Sequence, residues 1–164
     1  MLVGLKLYPG HEPYFMNDER LISTFELCKK FDRPLLVHTG WDNSHYNHPK
    51  YFASIAEQNP NMRIIMCHLW WPDIETCYEV TEPYANIYYD ISSLAHEKEL
   101  ISKTVMMLSK IAQDYPKRLI LGSDYGMCSI QEHINLIHSL DVSKEVIQKI
   151  LANNAFDIYS VSKL

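Results

Sequence analysis

Arg118-Leu119-Ile120-Leu121-Gly122-Ser123-Asp124-Tyr125-Gly126 is a short apolar run that stops at a small-residue turn carrying one carboxylate. A Leu/Ile run of this length, with Lys and Arg before it and Gly-Ser-Asp after it, reads as a buried parallel strand. Asp124 then stands just past the strand's carboxyl end. In parallel α/β sheets and barrels that end carries ligand and metal sites, because the connecting loops converge there on rigid strands. Other strands of such a fold should bring matching polar residues to the same rim.

Upstream, the same pattern recurs. Leu2-Val3-Gly4-Leu5-Lys6-Leu7-Tyr8 is a mostly apolar strand interrupted by Lys6, which either snorkels from the strand end or sits in a polar pocket. Pro34-Leu35-Leu36-Val37-His38-Thr39-Gly40 ends in His38, Arg63-Ile64-Ile65-Met66-Cys67-His68-Leu69 ends in His68, and Asn86-Ile87-Tyr88-Tyr89-Asp90-Ile91-Ser92 ends in Asp90. Polar residues therefore mark positions 6, 38, 68, 90 and 124, with separations of 32, 30, 22 and 34. Units of that size fit strand-helix repeats joined by right-handed crossovers.

The intervening segments carry helical periodicity. Asn17-Asp18 offer caps for a helix burying Leu21, Ile22, Phe25, Cys28 and Phe31. Pro49 opens a helix with Tyr51, Phe52, Ile55 and Ala56 inward, and Ile74, Cys77, Tyr78 and Thr81 form the face of the next. A long helix is expected from about Glu97 to Tyr115. Ser129-Ile130-Gln131-Glu132 reads as a capping box before a helix burying Ile130, Ile134, Ile137 and Leu140. Val146, Ile147, Ile150 and Leu151 mark another helix, and residues 153–159 a short closing one. The loop from Trp41 to His48 reads as solvated surface, His45 and His48 included, and Trp70-Trp71 as packing residues or a pocket wall.

Composition narrows the function classes. With 164 residues, 47% hydrophobic and 21% charged, the chain suffices for one domain with a substantial core. A net charge of -5 with scattered Lys and Arg provides no patch to neutralise phosphates, so nucleic acid is not an expected partner. The apolar runs fall far short of the roughly 20 residues needed to span a bilayer, and no signal segment is evident, so the expected location is cytoplasmic. Four dispersed cysteines, Cys28, Cys67, Cys77 and Cys128, read as reduced core thiols.

Each strand-end residue alone has a structural explanation, a His satisfying a carbonyl or an Asp capping a helix. Two histidines, two aspartates and a lysine on one rim form the donor set of a catalytic divalent metal, which needs about three protein ligands and an open position for water.

Gly4-Leu5-Lys6-Leu7-Tyr8-Pro9, Leu36-Val37-His38-Thr39-Gly40, Cys67-His68-Leu69-Trp70-Trp71-Pro72, Asn86-Ile87-Tyr88-Tyr89-Asp90-Ile91-Ser92, Leu121-Gly122-Ser123-Asp124-Tyr125 and Ile150-Leu151-Ala152-Asn153-Asn154-Ala155 occur in an order that resembles the amidohydrolase superfamily. The likeness is to its branch of TIM-barrel metal-dependent hydrolases and nonoxidative decarboxylases. It implies an α/β fold, a partial TIM (β/α)8 barrel of five parallel strands with intervening helices, residues 1–164 forming one domain equivalent to strands four to eight. It further implies that His38 and Asp124 hold the metal, zinc foremost and manganese second. His68 would bind a second metal or act on the substrate, and Lys6 would match the strand-four position where some relatives carry a bridging carboxylated lysine.

The resemblance also implies a His-x-His pair on a strand well upstream of Lys6. Neither His11-Glu12 nor His45-Tyr46-Asn47-His48 has the spacing or strand context to replace it. A full barrel takes about 250 residues, so five eighths of one is expected, with two open sheet edges that need cover. The expected partner is a second copy or a separately encoded N-terminal half. Two functions follow. One is a metal-dependent hydrolase of C-N or C-O bonds, or a decarboxylase, acting on a small carboxylated or cyclic substrate, with Asp124 handling protons and His68 polarising the substrate. The other is a catalytically inactive truncated barrel that oligomerises and lacks the His-x-His ligands.

Overall fold

A computed structural model describes residues 2–96 and 98–161. Five parallel strands, β1 (Leu5–Leu7), β2 (Leu35–His38), β3 (Ile64–Cys67), β4 (Ile87–Asp90) and β5 (Leu119–Ile120), pair in sequence order. Between them run α1 (Ile22–Lys30), α2 (Pro49–Gln58), α3 (Ile74–Thr81) and α4 (Ile101–Asp114), so the architecture is α/β with strand and helix alternating. After β5 come α5 (Ile130–His138), α6 (Lys144–Gln148), a π-helical turn at Lys149–Asn153 and α7 (Asn154–Tyr159). No helix among the described residues is long and apolar enough to cross a membrane.

The pleat sorts the strand residues between two cores. Leu35, Val37, Ile64, Met66, Ile87, Tyr89 and Leu119 point to the helices and share their buried cluster with Phe25, Phe52, Cys77 and Leu108. The opposite face carries Leu36, Ile65, Tyr88 and Ile120, which meet Ala155, Ile158 and Tyr159 of α7. Lys6 is in register with Leu36, and through it with Ile65 and Tyr88, so it belongs to this second face. His38, Cys67 and Asp90 form the next layer toward the carboxyl ends. Layered side chains inside a parallel sheet are the interior of a barrel.

Helix starts follow local chemistry. Ser129 accepts from the Glu132 backbone N–H at 3.4 Å. The return half of the expected capping box is replaced, because the Glu132 carboxylate pairs with Lys98 at 2.8 Å. The helix expected from Glu97 begins instead at Ile101, after a 3₁₀ turn at Lys98–Leu100; Glu97 lies outside the described residues. The α3 face is buried as expected. Ile22, Phe31 and Ile130 are not, being 55%, 59% and 48% exposed. The periodicity marks these residues as apolar, but no neighbouring element among the described residues covers them. All four cysteines are free, three of them buried.

The two sheet edges differ. On β5, Leu119 O accepts from the Asn154 side chain at 2.8 Å, and the following Leu121 N–H donates to Ile150 O at 3.0 Å, so the C-terminal segment covers that edge. Beside β1 two apolar grooves open, one lined by Leu2, Leu5, Leu27 and Phe31, the other by Val3, Leu151, Phe156 and Tyr159.

Candidate active site

The carboxyl ends of the strands enclose a cavity of about 600 Å³. His38, His68 and Asp124 all line it, together with Gly10, His11, Trp41, Asp42, Asn43, Ser93, His96, Met127 and Cys128. Three strand-end residues singled out from the sequence thus meet in one place.

His38 closes β2 on the barrel-interior face. Its ring lies 4.6 Å from that of His11 and 5.0 Å from that of His68, centroid to centroid, with Trp41 stacked at 6.1 Å. Burial, and then the neighbouring His68, His11 and Lys6, pull its pKa down to about 3 against the opposing charge of Asp124. At neutral pH the imidazole is therefore uncharged, the form that binds metals.

His68 follows β3 and is buried. Its Nδ1 lies 2.8 Å from Ser92 O and 3.0 Å from Ser92 Oγ. A carbonyl only accepts, so Nδ1 carries the proton and Nε2 keeps a lone pair. Burial lowers the pKa of this ring too, while the Ser92 carbonyl works in the other direction. Thr39 fastens the two strand ends together: its hydroxyl donates to Cys67 O at 2.6 Å and accepts from the Trp70 N–H at 2.8 Å.

Asp124 lies four residues beyond the end of β5, at φ 57°, exposed in the cavity mouth. Its carboxylate accepts from Ser93 Oγ at 3.1 Å. The left-handed backbone here is shared: Trp41, Asn43, His68, Ser93 and Asp124 all have positive φ and all line the cavity. Such conformations cost non-glycine residues about 1–3 kcal/mol each and persist where surrounding structure imposes them, most often at functional sites.

The other expected residues are placed differently. Lys6 Nζ donates to Cys67 Sγ at 2.9 Å and lies 5.1 Å from the Tyr8 ring, below the cavity lining. Asp90 accepts from the Ser92 N–H at 2.7 Å and abuts Gly122, where a Cβ would come within 2.7 Å of a carboxylate oxygen; it serves the turn. His48 accepts from the Lys50 N–H at 3.1 Å as the cap of α2, and His45 packs on Tyr46, both outside the cavity. Trp71 is buried in the core and Trp70 partly so, leaving Trp41 as the aromatic wall.

His11, dismissed on spacing, is brought in by its loop. The Asn47 side chain donates to Pro9 O at 2.9 Å and accepts from the Gly40 N–H at 3.0 Å, tying the loop after β1 to the turn after β2. Asn43 adds a bond to Gly10 O at 3.2 Å. His96 and Cys128 also line the cavity, and neither has a strand-end signature in the sequence.

Three imidazoles and a carboxylate, with two imidazoles held neutral, match the donor chemistry of a divalent metal. In the arrangement seen, no group of three or more His, Cys, Asp or Glu donors among the described residues stands close enough to hold an ion.

The Amidohydrolase family model matches residues 1–161. Comparison with curated proteins returns no significant match. Among solved structures, an uncharacterized TIM-barrel protein from Bordetella bronchiseptica is 20% identical, with TM-score 0.76 over 97% of this chain and 57% of its own. An amidohydrolase from Burkholderia multivorans with bound zinc gives 13% identity and TM-score 0.80 over 97% of this chain and 64% of its own. A 5-carboxyvanillate decarboxylase from Novosphingobium aromaticivorans, complexed with manganese and 4-hydroxy-3-methoxy-5-nitrobenzoic acid, gives 13% and 0.68 over 98% and 57%. The chain thus spans less than two thirds of each of these structures, and the five strands correspond to part of a TIM barrel. With the family model covering residues 1–161 and the barrel fold shared with these structures, the chain belongs to the amidohydrolase family.

Proposed function

We propose that this chain carries the metal-binding rim of an amidohydrolase-type enzyme that hydrolyses a C-N or C-O bond of a small carboxylated or cyclic substrate, or decarboxylates it. The carrying observation is that His38, His68 and Asp124, from three different strand ends, line one cavity large enough for a small molecule. His38 and Asp124 would hold the metal, with His68 as a further ligand. A bound divalent ion supplies Lewis acidity and lowers the pKa of its water toward neutrality. Zinc and manganese are the first candidates, since both occur in solved relatives.

The chain's own residues have distinct tasks in this reading. Asp124, exposed and oriented by Ser93 Oγ, would in hydrolysis accept a proton from the attacking water and return it to the leaving group. In decarboxylation it would, in its protonated form, give its proton to the carbon that loses CO₂ and be reprotonated by solvent. His68 offers the Nε2 lone pair, so it acts as ligand or proton acceptor. Polarising a substrate oxygen by hydrogen bonding requires its protonated form, which burial opposes. Trp41 excludes water from one wall beside His38 and His68. Lys6, donating to Cys67, is a weaker candidate for a bridging carboxylated lysine.

A second reading is a catalytically silent barrel that associates through its edges. It draws on the absence, among the described residues, of three converging metal donors and on the apolar grooves beside β1. In either reading the β1 edge is covered by further polypeptide, a second copy or the remaining βα units of a barrel. Metal loading followed by assay separates the two. Hydrolysis or decarboxylation that requires added zinc or manganese and disappears in Asp124→Asn supports the enzyme. Metal-free protein that stays inert toward carboxylated and cyclic substrates after zinc or manganese is added supports the silent barrel.

A further inference from the structure

We propose that His11 is a nitrogen ligand of the metal centre, paired with His38 across the cavity. The inference rests on reading the site as a metal centre and adds a residue from a loop rather than a strand end.

Two imidazoles bound to one ion at about 2.0–2.1 Å, at angles between octahedral and tetrahedral, place their ring centroids roughly 4.5–5.3 Å apart. His11 and His38 are 4.6 Å apart and His38 and His68 5.0 Å, with interplanar angles of 71° and 65°. His38 is thus the middle of three imidazoles, and each successive pair, though not all three together, has a spacing that suits two ligands of one ion. Asp124 lines the same cavity. Among the described residues the ring nitrogens of His11 have no hydrogen-bond partner, so no competing contact claims them.

The loop holding His11 is braced. Asn47, with no exposed surface, bridges Pro9 O and the Gly40 N–H, the latter two residues from His38. Asn43 holds Gly10 O. Within the loop, Gly10 N–H donates to Glu12 O and Glu12 N–H to Tyr8 O, each at 3.0 Å, and the Tyr8 ring meets His11 edge-on at 5.9 Å. Gly10 itself needs φ +100°, with Asn43 O 3.2 Å from where a Cβ would stand. A ligand pre-positioned by buried second contacts loses little entropy when it binds an ion. A histidine on a solvated loop with no role would need none of this bracing.

The test is titration of the purified, metal-free chain with Co²⁺, following the d–d absorption bands and the heat of binding, for wild type, His11→Ala, His38→Ala and His45→Ala. His11 is exposed, so its truncation leaves the core intact. His11→Ala should weaken Co²⁺ binding at least about tenfold and shift the d–d spectrum, while His45→Ala matches wild type. If His11→Ala retains wild-type affinity and spectrum while His38→Ala loses binding, the role of His11 is overturned and the metal centre stands. Wild type that binds no Co²⁺ overturns both.

Discussion

Asn47→Ala should damage the site and the fold together, by an amount that follows from two hydrogen bonds. The amide is fully buried, donates to Pro9 O at 2.9 Å and accepts from the Gly40 N–H at 3.0 Å, and both partners are themselves buried. Truncation leaves one buried carbonyl and one buried N–H unpaired, each costing about 1–3 kcal/mol. A total near 3 kcal/mol corresponds, for a chain of this size, to a fall in Tm of roughly 6–12 °C. Asn47→Asp keeps the acceptor for Gly40 but sets a carboxylate oxygen against the Pro9 carbonyl. It should be as destabilised at neutral pH and recover part of the loss once the acid is protonated and can donate. Thermal melts by circular dichroism, with Co²⁺ affinity measured on the same samples, check both effects. A melting point within about 2 °C of wild type, with unchanged affinity, would refute the claim that this amide positions the loops carrying His11 and His38.

Gly122→Ala places a Cβ 2.7 Å from an Asp90 carboxylate oxygen. The carboxylate must leave its bond to the Ser92 N–H, at a cost of about 1–3 kcal/mol by chemical denaturation. Adding Asp90→Ala should remove most of that cost, giving a double-mutant coupling of opposite sign. The metal-free protein should lose stability as pH falls from about 6.5 toward 3. His38 is held neutral by burial in the fold and protonates freely when unfolded, so its contribution is full above the unfolded pKa and fades below it. The slope from this residue is at most about 1.4 kcal/mol per pH unit, and His38→Gln should flatten the curve measured by denaturation. Phe31→Glu, in the groove beside β1, should shift any self-associated population toward monomer in light scattering; identical masses for both proteins would show that this groove does not mediate association.

Much of the sheet was legible because a buried parallel strand has few ways to be written: four or five apolar residues, then a polar one at a turn. Leu35–His38 and Ile64–Cys67 appear where the pattern puts them. The opening run shortens to Leu5–Leu7, the three residues in register with Leu35–Val37 of its neighbour β2. Asp90 and Asp124 look alike in sequence, each polar at the end of an apolar run. They are separated by Gly122, whose missing side chain lets Asp90 turn inward, while Asp124 sits on the far side of that turn. The arrival of His11, Trp41 and His96 at the cavity was not legible. Their placement depends on contacts between loops distant in the chain, the Asn47 bridge above all, and no local periodicity encodes those. Ile22 and Phe31 fit the helical pattern yet remain exposed, because periodicity records which residues are apolar and not which partner covers them.

His38 and Asp124 are proposed to belong to one divalent-metal site. Isothermal titration of the metal-free chain with zinc and with manganese tests it most directly. Wild type should bind one ion per chain, and binding should be lost in both His38→Ala and Asp124→Ala with the folded state retained by circular dichroism. Wild type that takes up neither ion, or variants that bind as wild type does, would contradict it.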